Sequence, residues 1–129
     1  MNIAIDGPAG AGKSTIAKAL AQELSFLYVD TGALYRAVGY AMTRLGVELQ
    51  DPQAVEAALA GLRVSLRHVA GTQRVFVGEE DVSDRIRTPE MSMAASTVSA
   101  QPAVRQFLFQ LQRDIAAEND VIMDGRDIG

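Results

Sequence analysis

The chain has 129 residues, 48% of them apolar and 5% aromatic, which is enough apolar material for one packed domain or part of one. Its formal net charge of −4 argues against general binding to nucleic-acid backbones, although ten of the 12 basic residues are arginine, the side chain suited to bidentate phosphate recognition. The absence of cysteine excludes disulfides and thiolate metal sites, and no apolar run approaches the roughly 18 residues of a membrane span.

Residues 2–6 read as a strand through Ile3, Ala4 and Ile5. Residues 7–14, Gly-Pro-Ala-Gly-Ala-Gly-Lys-Ser, then match the P-loop pattern G-x-x-x-x-G-K-[ST] in full. The chemistry explains the residue types. Glycines let the backbone wrap a phosphate chain with its N–H groups turned inward, and the following helix adds its positive end. Lys13 can reach the β- and γ-phosphates and the Ser14 hydroxyl can ligate Mg²⁺. The expected nucleotide-binding set is Gly7, Pro8, Ala9, Gly10, Ala11, Gly12, Lys13, Ser14 and Thr15. A glycine-rich turn without a ligand would leave the lysine and serine unexplained. With the chain entering this strand and loop at once, there is no room for a signal peptide, and the expected compartment is the cytoplasm.

A helix over 13–24 is expected to bury Ile16, Leu20 and Leu24, with Ala17 and Ala21 beside them. Residues 26–29 form a second strand ending at Asp30. Thr31 caps a helix carrying Leu34, Val38, Ala41 and Leu45, which Gly46 stops. This strand–helix–strand–helix order predicts a parallel α/β sheet. Asp51-Pro52 then starts a helix to about Leu59. Residues 62–69 and 74–77 alternate around Ala70-Gly71-Thr72 as a hairpin, with His68 as a surface or edge residue. Thr88-Pro89 starts another helix. The segment 52–87 is thus a small α+β insertion. Residues 102–117 form a helix with Val104, Phe107, Leu108, Leu111 and Ile115 on one face, and 121–123 a short strand ending in Asp124-Gly125-Arg126-Asp127.

Ligands of α/β sheets bind beyond the carboxyl ends of the strands. Three polar clusters fall there: the P-loop, residues 30–36, and residues 124–127. Arg36 and Arg126 suit a second phosphate, that of an acceptor, and Asp124 or Asp127 could hold Mg²⁺ directly or through water. Taken singly each has a plainer reading. Arg36 could pair with a surface carboxylate, Asp124 could be a turn residue, and Asp30 could simply cap its helix.

With Gly-Pro-Ala-Gly-Ala-Gly-Lys-Ser, Asp-Thr-Gly-Ala-Leu-Tyr-Arg (30–36) and Asp-Gly-Arg-Asp-Ile-Gly (124–129) in this order, the chain resembles bacterial cytidylate kinases, which transfer the γ-phosphoryl of ATP to CMP or dCMP. The resemblance extends through Glu80-Asp81-Val82-Ser83, Ile86-Arg87-Thr88-Pro89-Glu90, Ala94-Ala95-Ser96 and Pro102-Ala103-Val104-Arg105. It implies a P-loop nucleoside monophosphate kinase fold, incomplete at the C-terminus, with the insertion enlarging the monophosphate-binding region. Residues 1–50 and 118–129 would form the core sheet with its P-loop, and 51–117 the monophosphate-binding region. Three strands, against the usual five or so, would leave one face and one edge of the sheet uncovered.

The resemblance also implies roles. Lys13, Arg36, Arg126 and Asp124 would be catalytic, and Ser14 the metal ligand. Thr31 and Tyr35 would line the acceptor pocket, with Arg36 and Arg126 on its phosphate and Ser96 and Arg105 on the cytosine edge. Asp124 and Asp127 would complete the substrate contacts. ATP and Mg²⁺ are the implied cofactors, CMP or dCMP the partner, with no nucleic acid, no membrane, and a monomer when complete. A chain of this length is expected to be weakly active or inactive. The rival readings are a nucleotide-binding module without turnover, and a kinase of another nucleoside monophosphate or of a small alcohol. Tyr35-Arg36 and the Asp-Gly-Arg-Asp loop speak against the alcohol.

Overall fold

The computed structural model describes the backbone of residues 2–5 and 11–124 and the side chains of residues 16–122. The elements run β1 (Asn2–Ile5), α1 (Ala11–Leu24), β2 (Leu27–Asp30), α2 (Thr31–Arg44), α3 (Pro52–Leu59), β3 (Val64–Val69), β4 (Thr72–Val77), β5 (Glu80–Asp81), α4 (Pro89–Ser99), α5 (Pro102–Glu118) and β6 (Val121–Asp124). The chain forms two compact units, one of residues 1–31 with 112–129 and one of residues 32–111.

In the first unit β1, β6 and β2 form a parallel sheet with β6 in the middle. The last strand in sequence therefore separates the first two. Helix α1 packs on β6 and β2 through Ala17 and Ala21, which are buried with Tyr28 and Ile122 while Leu20 and Phe26 close the cluster. The expected apolar stripe of α1 is corrected here. Ile16 and Leu24 are 63% and 42% exposed, because the face that meets the sheet at close range is the alanine face. The expectation of an uncovered sheet face is also corrected. Leu27, Tyr28, Val29, Val121 and Ile122, whose side chains alternate between the two faces, are all buried. α1 starts at Ala11 rather than at residue 13, so Gly12, Lys13 and Ser14 lie in its first turn.

The end of α1 follows from local hydrogen bonding. Ser25 takes a left-handed φ of 59°, its N–H donates to Gln22 O at 3.3 Å, and the Phe26 N–H donates to Ala21 O at 2.8 Å. This is a Schellman closure with serine at the position usually held by glycine. α2 closes in the same way with Gly46, at φ 72°, where Gly46 N–H donates to Thr43 O and Val47 N–H to Met42 O. Leu45, expected in the core, falls beyond the helix end and is 64% exposed.

In the second unit both cap-plus-proline signals operate as expected. The Asp51 carboxylate accepts from the N–H groups of Gln53 and Ala54, and the Thr88 hydroxyl accepts from Met91 N–H. β3 and β4 pair antiparallel across a two-residue turn, Ala70-Gly71, with φ of 53° and 81°. Two positive φ values give the primed turn that matches strand twist. The hairpin turn thus excludes Thr72, and β5, unforeseen from sequence, pairs with β4.

α2 and α4 approach closely at Gly39. A Cβ at Gly39 would lie 2.9 Å from Ala94 Cβ and 3.2 Å from Ala95 N. Thr43 and Thr97 line one open hollow of about 430 Å³, and Gln101 Nε2 donates to Leu49 O.

One prediction concerns the α1 closure. A left-handed L-residue is strained where glycine is not. Ser25→Gly should therefore stabilise the fold by about 0.5–1 kcal/mol in urea titrations, and Gly46→Ala should destabilise it by a similar amount. A neutral Ser25→Gly would show that the αL strain at residue 25 is relieved elsewhere.

Candidate functional site

The parallel register fixes the geometry of the sheet's carboxyl edge. Asp124 stands opposite Ile5 on one side and opposite Asp30 on the other. All three strands therefore finish in one row. The segment leading to α1 leaves from Ile5, α2 leaves from Asp30, and the Asp124-Gly125-Arg126-Asp127 loop leaves from the strand between them. The adjacency of Asp30 and Asp124 was not visible in the sequence, because register between strands more than ninety positions apart has no local signal.

Gly7, Pro8, Ala9, Gly10, Arg126 and Asp127 lie outside the described residues. Ala11, Gly12, Lys13, Ser14 and Thr15 occupy the start of α1, whose first turn carries no acidic residue, so its positive end is not neutralised from within the helix. Thr31 is the first residue of α2 and is half-buried, as is Asp30 before it. Among the described residues no group of three or more His, Cys, Asp or Glu is placed to hold a metal.

The second unit contains the other expected site residues. Tyr35 and Arg36 lie half-buried on α2, Ser96 is exposed on α4, and Arg105 is exposed on α5. Arg36 forms no ion pair among the described residues. Ser96 and Arg105 likewise have no side-chain partner among the described residues.

A sequence profile of the cytidylate kinase family matches residues 3–129. The chain belongs to the cytidylate kinase family. It is 53% identical over 129 residues to a cytidylate kinase of Pelotomaculum thermopropionicum, covering 99% of this chain and 57% of that protein. Its identity to the cytidylate kinase of Desulfitobacterium hafniense is 50%, with 100% of this chain and 55% of the relative covered. For that of Exiguobacterium sp. the figures are 50%, 100% and 58%. The chain thus spans a little over half the length of these relatives. Membership brings the P-loop nucleoside monophosphate kinase fold, of which the parallel sheet and flanking helices are the described part. Among the described residues no helix is long and apolar enough to cross a membrane.

Within this cytidylate kinase family chain, the Glu80-Asp81-Val82-Ser83 motif does structural work. Val82 is buried. Glu80 Oε2 accepts from Tyr40 Oη at 2.8 Å, and Tyr40 in turn accepts from Arg44 at 3.0 Å. Asp81 accepts from Arg74 Nε at 2.8 Å and from Ser83 N–H at 3.0 Å, while Ser83 Oγ accepts from Val75 N–H at 2.7 Å. The Arg74 guanidinium first, and the Ser83 N–H second, hold the Asp81 carboxyl at about 2, below its usual 3.8. Sequence reasoning missed the partners Tyr40–Glu80, Arg74–Asp81 and Val75–Ser83, which join residues seven to forty positions apart.

A depressed carboxyl contributes stability above its unfolded value and loses it as pH falls through its folded value. Arg74→Ala should therefore be less stable than the parent at neutral pH. The difference should shrink as the pH falls from 3.8 toward 2. Urea titrations across that window check this, and a constant difference would place the effect of Arg74 elsewhere.

Proposed function

We propose that this chain carries the ATP cradle and most of the acceptor site of an enzyme that phosphorylates CMP or dCMP with ATP. The observation that carries the reading is the family match over nearly the whole chain. It is joined to a P-loop sequence and an Asp-Gly-Arg-Asp loop that leave from neighbouring positions of one strand-end row. The activity belongs to the whole protein, of which the relatives' lengths make this chain a little over half.

Phosphoryl transfer asks for position and charge compensation more than for covalent chemistry. Gly7, Pro8, Ala9, Gly10, Ala11 and Gly12 would cradle the β- and γ-phosphates, with Thr15 behind them at the start of α1. Lys13 would neutralise the group in transfer, and Ser14 would contribute its hydroxyl to Mg²⁺. Mg²⁺ entering with ATP supplies charge neutralisation between the phosphates. Arg36 and Arg126 would hold the acceptor phosphate for in-line attack. Thr31 and Tyr35 would line its pocket, Asp124 and Asp127 would orient the loop toward substrate or metal, and Ser96 and Arg105 would read the cytosine edge. No nucleophile–base pair adjoins the P-loop sequence, so a covalent intermediate is not part of the reading.

A ligand that binds only the folded state raises its stability by RT ln(1 + [L]/Kd), about 2.7 kcal/mol at a hundredfold excess over Kd. CMP or dCMP should raise the unfolding midpoint of this chain, while AMP, GMP and shikimate should not. A shift with ATP alone would support a bare nucleotide-binding module, and a shift with AMP or shikimate would overturn the acceptor assignment. In the whole protein, Lys13→Ala should abolish transfer and leave CMP binding largely intact; equal loss of CMP binding would refute that division of labour.

A further inference from the structure

Helix α2 carries Arg36, Tyr40 and Arg44 at four-residue spacing, which sets the three on one stripe. The later two are in contact. Arg44 Nη1 donates to Tyr40 Oη at 3.0 Å, and its guanidinium lies 5.7 Å from the centre of the Tyr40 ring. Tyr40 is buried, and its hydroxyl donates to Glu80 Oε2 at 2.8 Å, across forty residues of sequence. The phenol is thus oriented from two sides, with Arg44 on its oxygen and Glu80 taking its proton. Glu80 is held in turn. Arg85 Nε lies 3.4 Å from the same carboxylate oxygen. β5 has two residues of its own, but its flank is fixed to β4 by three further bonds. Val82 N–H donates to Val75 O at 2.9 Å, Ser83 Oγ accepts from Val75 N–H, and Asp81 accepts from Arg74. The insertion therefore presents one firmly seated carboxylate to α2.

We propose that Tyr40 and Glu80 are positioning residues that set Arg36 on the acceptor phosphate. The proposal rests on the acceptor reading above. Arg36 stands one turn before Tyr40, about 6 Å along the axis. The backbone hydrogen bonds of the helix join the two, so a displacement at Tyr40 is carried to Arg36. Leu34, Ala37, Val38, Ala41 and Met42 bury one side of α2. Apolar contacts are non-directional. They fix how deep the helix lies, and they resist rotation about its axis only weakly. A hydrogen bond from a buried phenol to a carboxylate has direction, and a rotation of α2 that broke it would swing Arg36 through the same angle. Pairing of a planar guanidinium with a phosphate depends on that angle. A bond whose sole task was to satisfy a buried hydroxyl would act on stability and leave the ligand affinity of the folded protein unchanged, so the two roles are separable.

The test compares affinities of the whole protein for CMP, cytidine and Mg²⁺·ATP by calorimetric titration, with cytidine read by competition where it binds weakly. Tyr40→Phe keeps the ring and removes the hydroxyl. It should weaken CMP binding by about three- to tenfold, the size of effect expected of a coupled residue outside the contact, with cytidine and ATP affinities at parental values. In an Arg36→Gln background the same substitution should change CMP affinity by less than about twofold, because the residue it acts through is gone. Glu80→Ala should behave as Tyr40→Phe does, and Glu80→Gln, which keeps an acceptor oxygen for the phenol, should restore most of the affinity. Asp51→Ala, which strips the cap of α3 in the same unit, should lower the unfolding midpoint and leave CMP affinity unchanged. CMP affinity within twofold of the parent in Tyr40→Phe, with Arg36→Gln clearly weakened, would overturn the positioning role and leave the acceptor reading standing. Equal losses for CMP and cytidine, an undiminished Tyr40→Phe loss in the Arg36→Gln background, or a matching loss in Asp51→Ala would also overturn it. A parent that binds ATP but no cytidine nucleotide would overturn the acceptor reading itself, and the proposal with it.

Discussion

The pairing of β6 between β1 and β2 is the constraint on which the first unit depends. The sheet has no centre until residues 121–124 arrive, and β2 meets β6 only after roughly 90 intervening residues have been placed. Closing so long a loop is less costly than intuition suggests, because the entropy grows only with the logarithm of its length, about 0.6 kcal/mol for each doubling. An insertion of this size can therefore sit in the crossover, provided it has a core of its own. It does: Leu34, Val38, Met42, Val55, Val82, Val98, Val104 and Leu108 are fully buried and lie within residues 32–111. The alignment of Ile5, Asp124 and Asp30 is a consequence of the same pairing, and it puts the loops that carry chemistry at one edge of the sheet.

Charge is unevenly shared between the two units. Residues 32–111 carry eight arginines and eight carboxylates, so the net −4 lies entirely in the unit that holds the P-loop sequence. Two of that unit's carboxylates, Asp30 and Asp124, occupy neighbouring positions of one row.

The sequence was most legible where the physics is local. The Asp51-Pro52 and Thr88-Pro89 caps and the Gly46 stop each lie within a few residues of the hydrogen bonds they make, and each was found where expected; the hairpin turn was found one residue shorter than the expected Ala70-Gly71-Thr72. The failures are non-local. Ile16 and Leu24 have helical spacing as good as that of Ala17 and Ala21. Only the closeness of α1 to β2 and β6 decides that the small residues face inward. β5 exists because Glu80 and Asp81 meet β4, and the two-residue strand has no pattern of its own. Ser25 shows another limit: serine in the left-handed region is invisible to a search for glycine. Ser96 and Arg105 carry no spacing or composition signal at all, and they enter the site only through family resemblance.

The helix that carries Tyr35 and Arg36 is held at several points along its length. Gly39 lets the backbone of α4 approach closely, Tyr40 ties α2 to Glu80 on β5, and Thr43 donates back to Gly39 O at 2.8 Å. The Gly46 closure ends the helix. Every one of these restraints lies on the C-terminal side of Arg36, within three turns of it. The helix is therefore anchored beyond the residues expected to meet the ligand. Functional groups borne on rigid elements are positioned more accurately than those on loops. A Cβ at residue 39 would disturb this arrangement through spacing rather than chemistry, because its nearest neighbours include the backbone of Ala94 and Ala95, which can yield only if α4 moves as a whole.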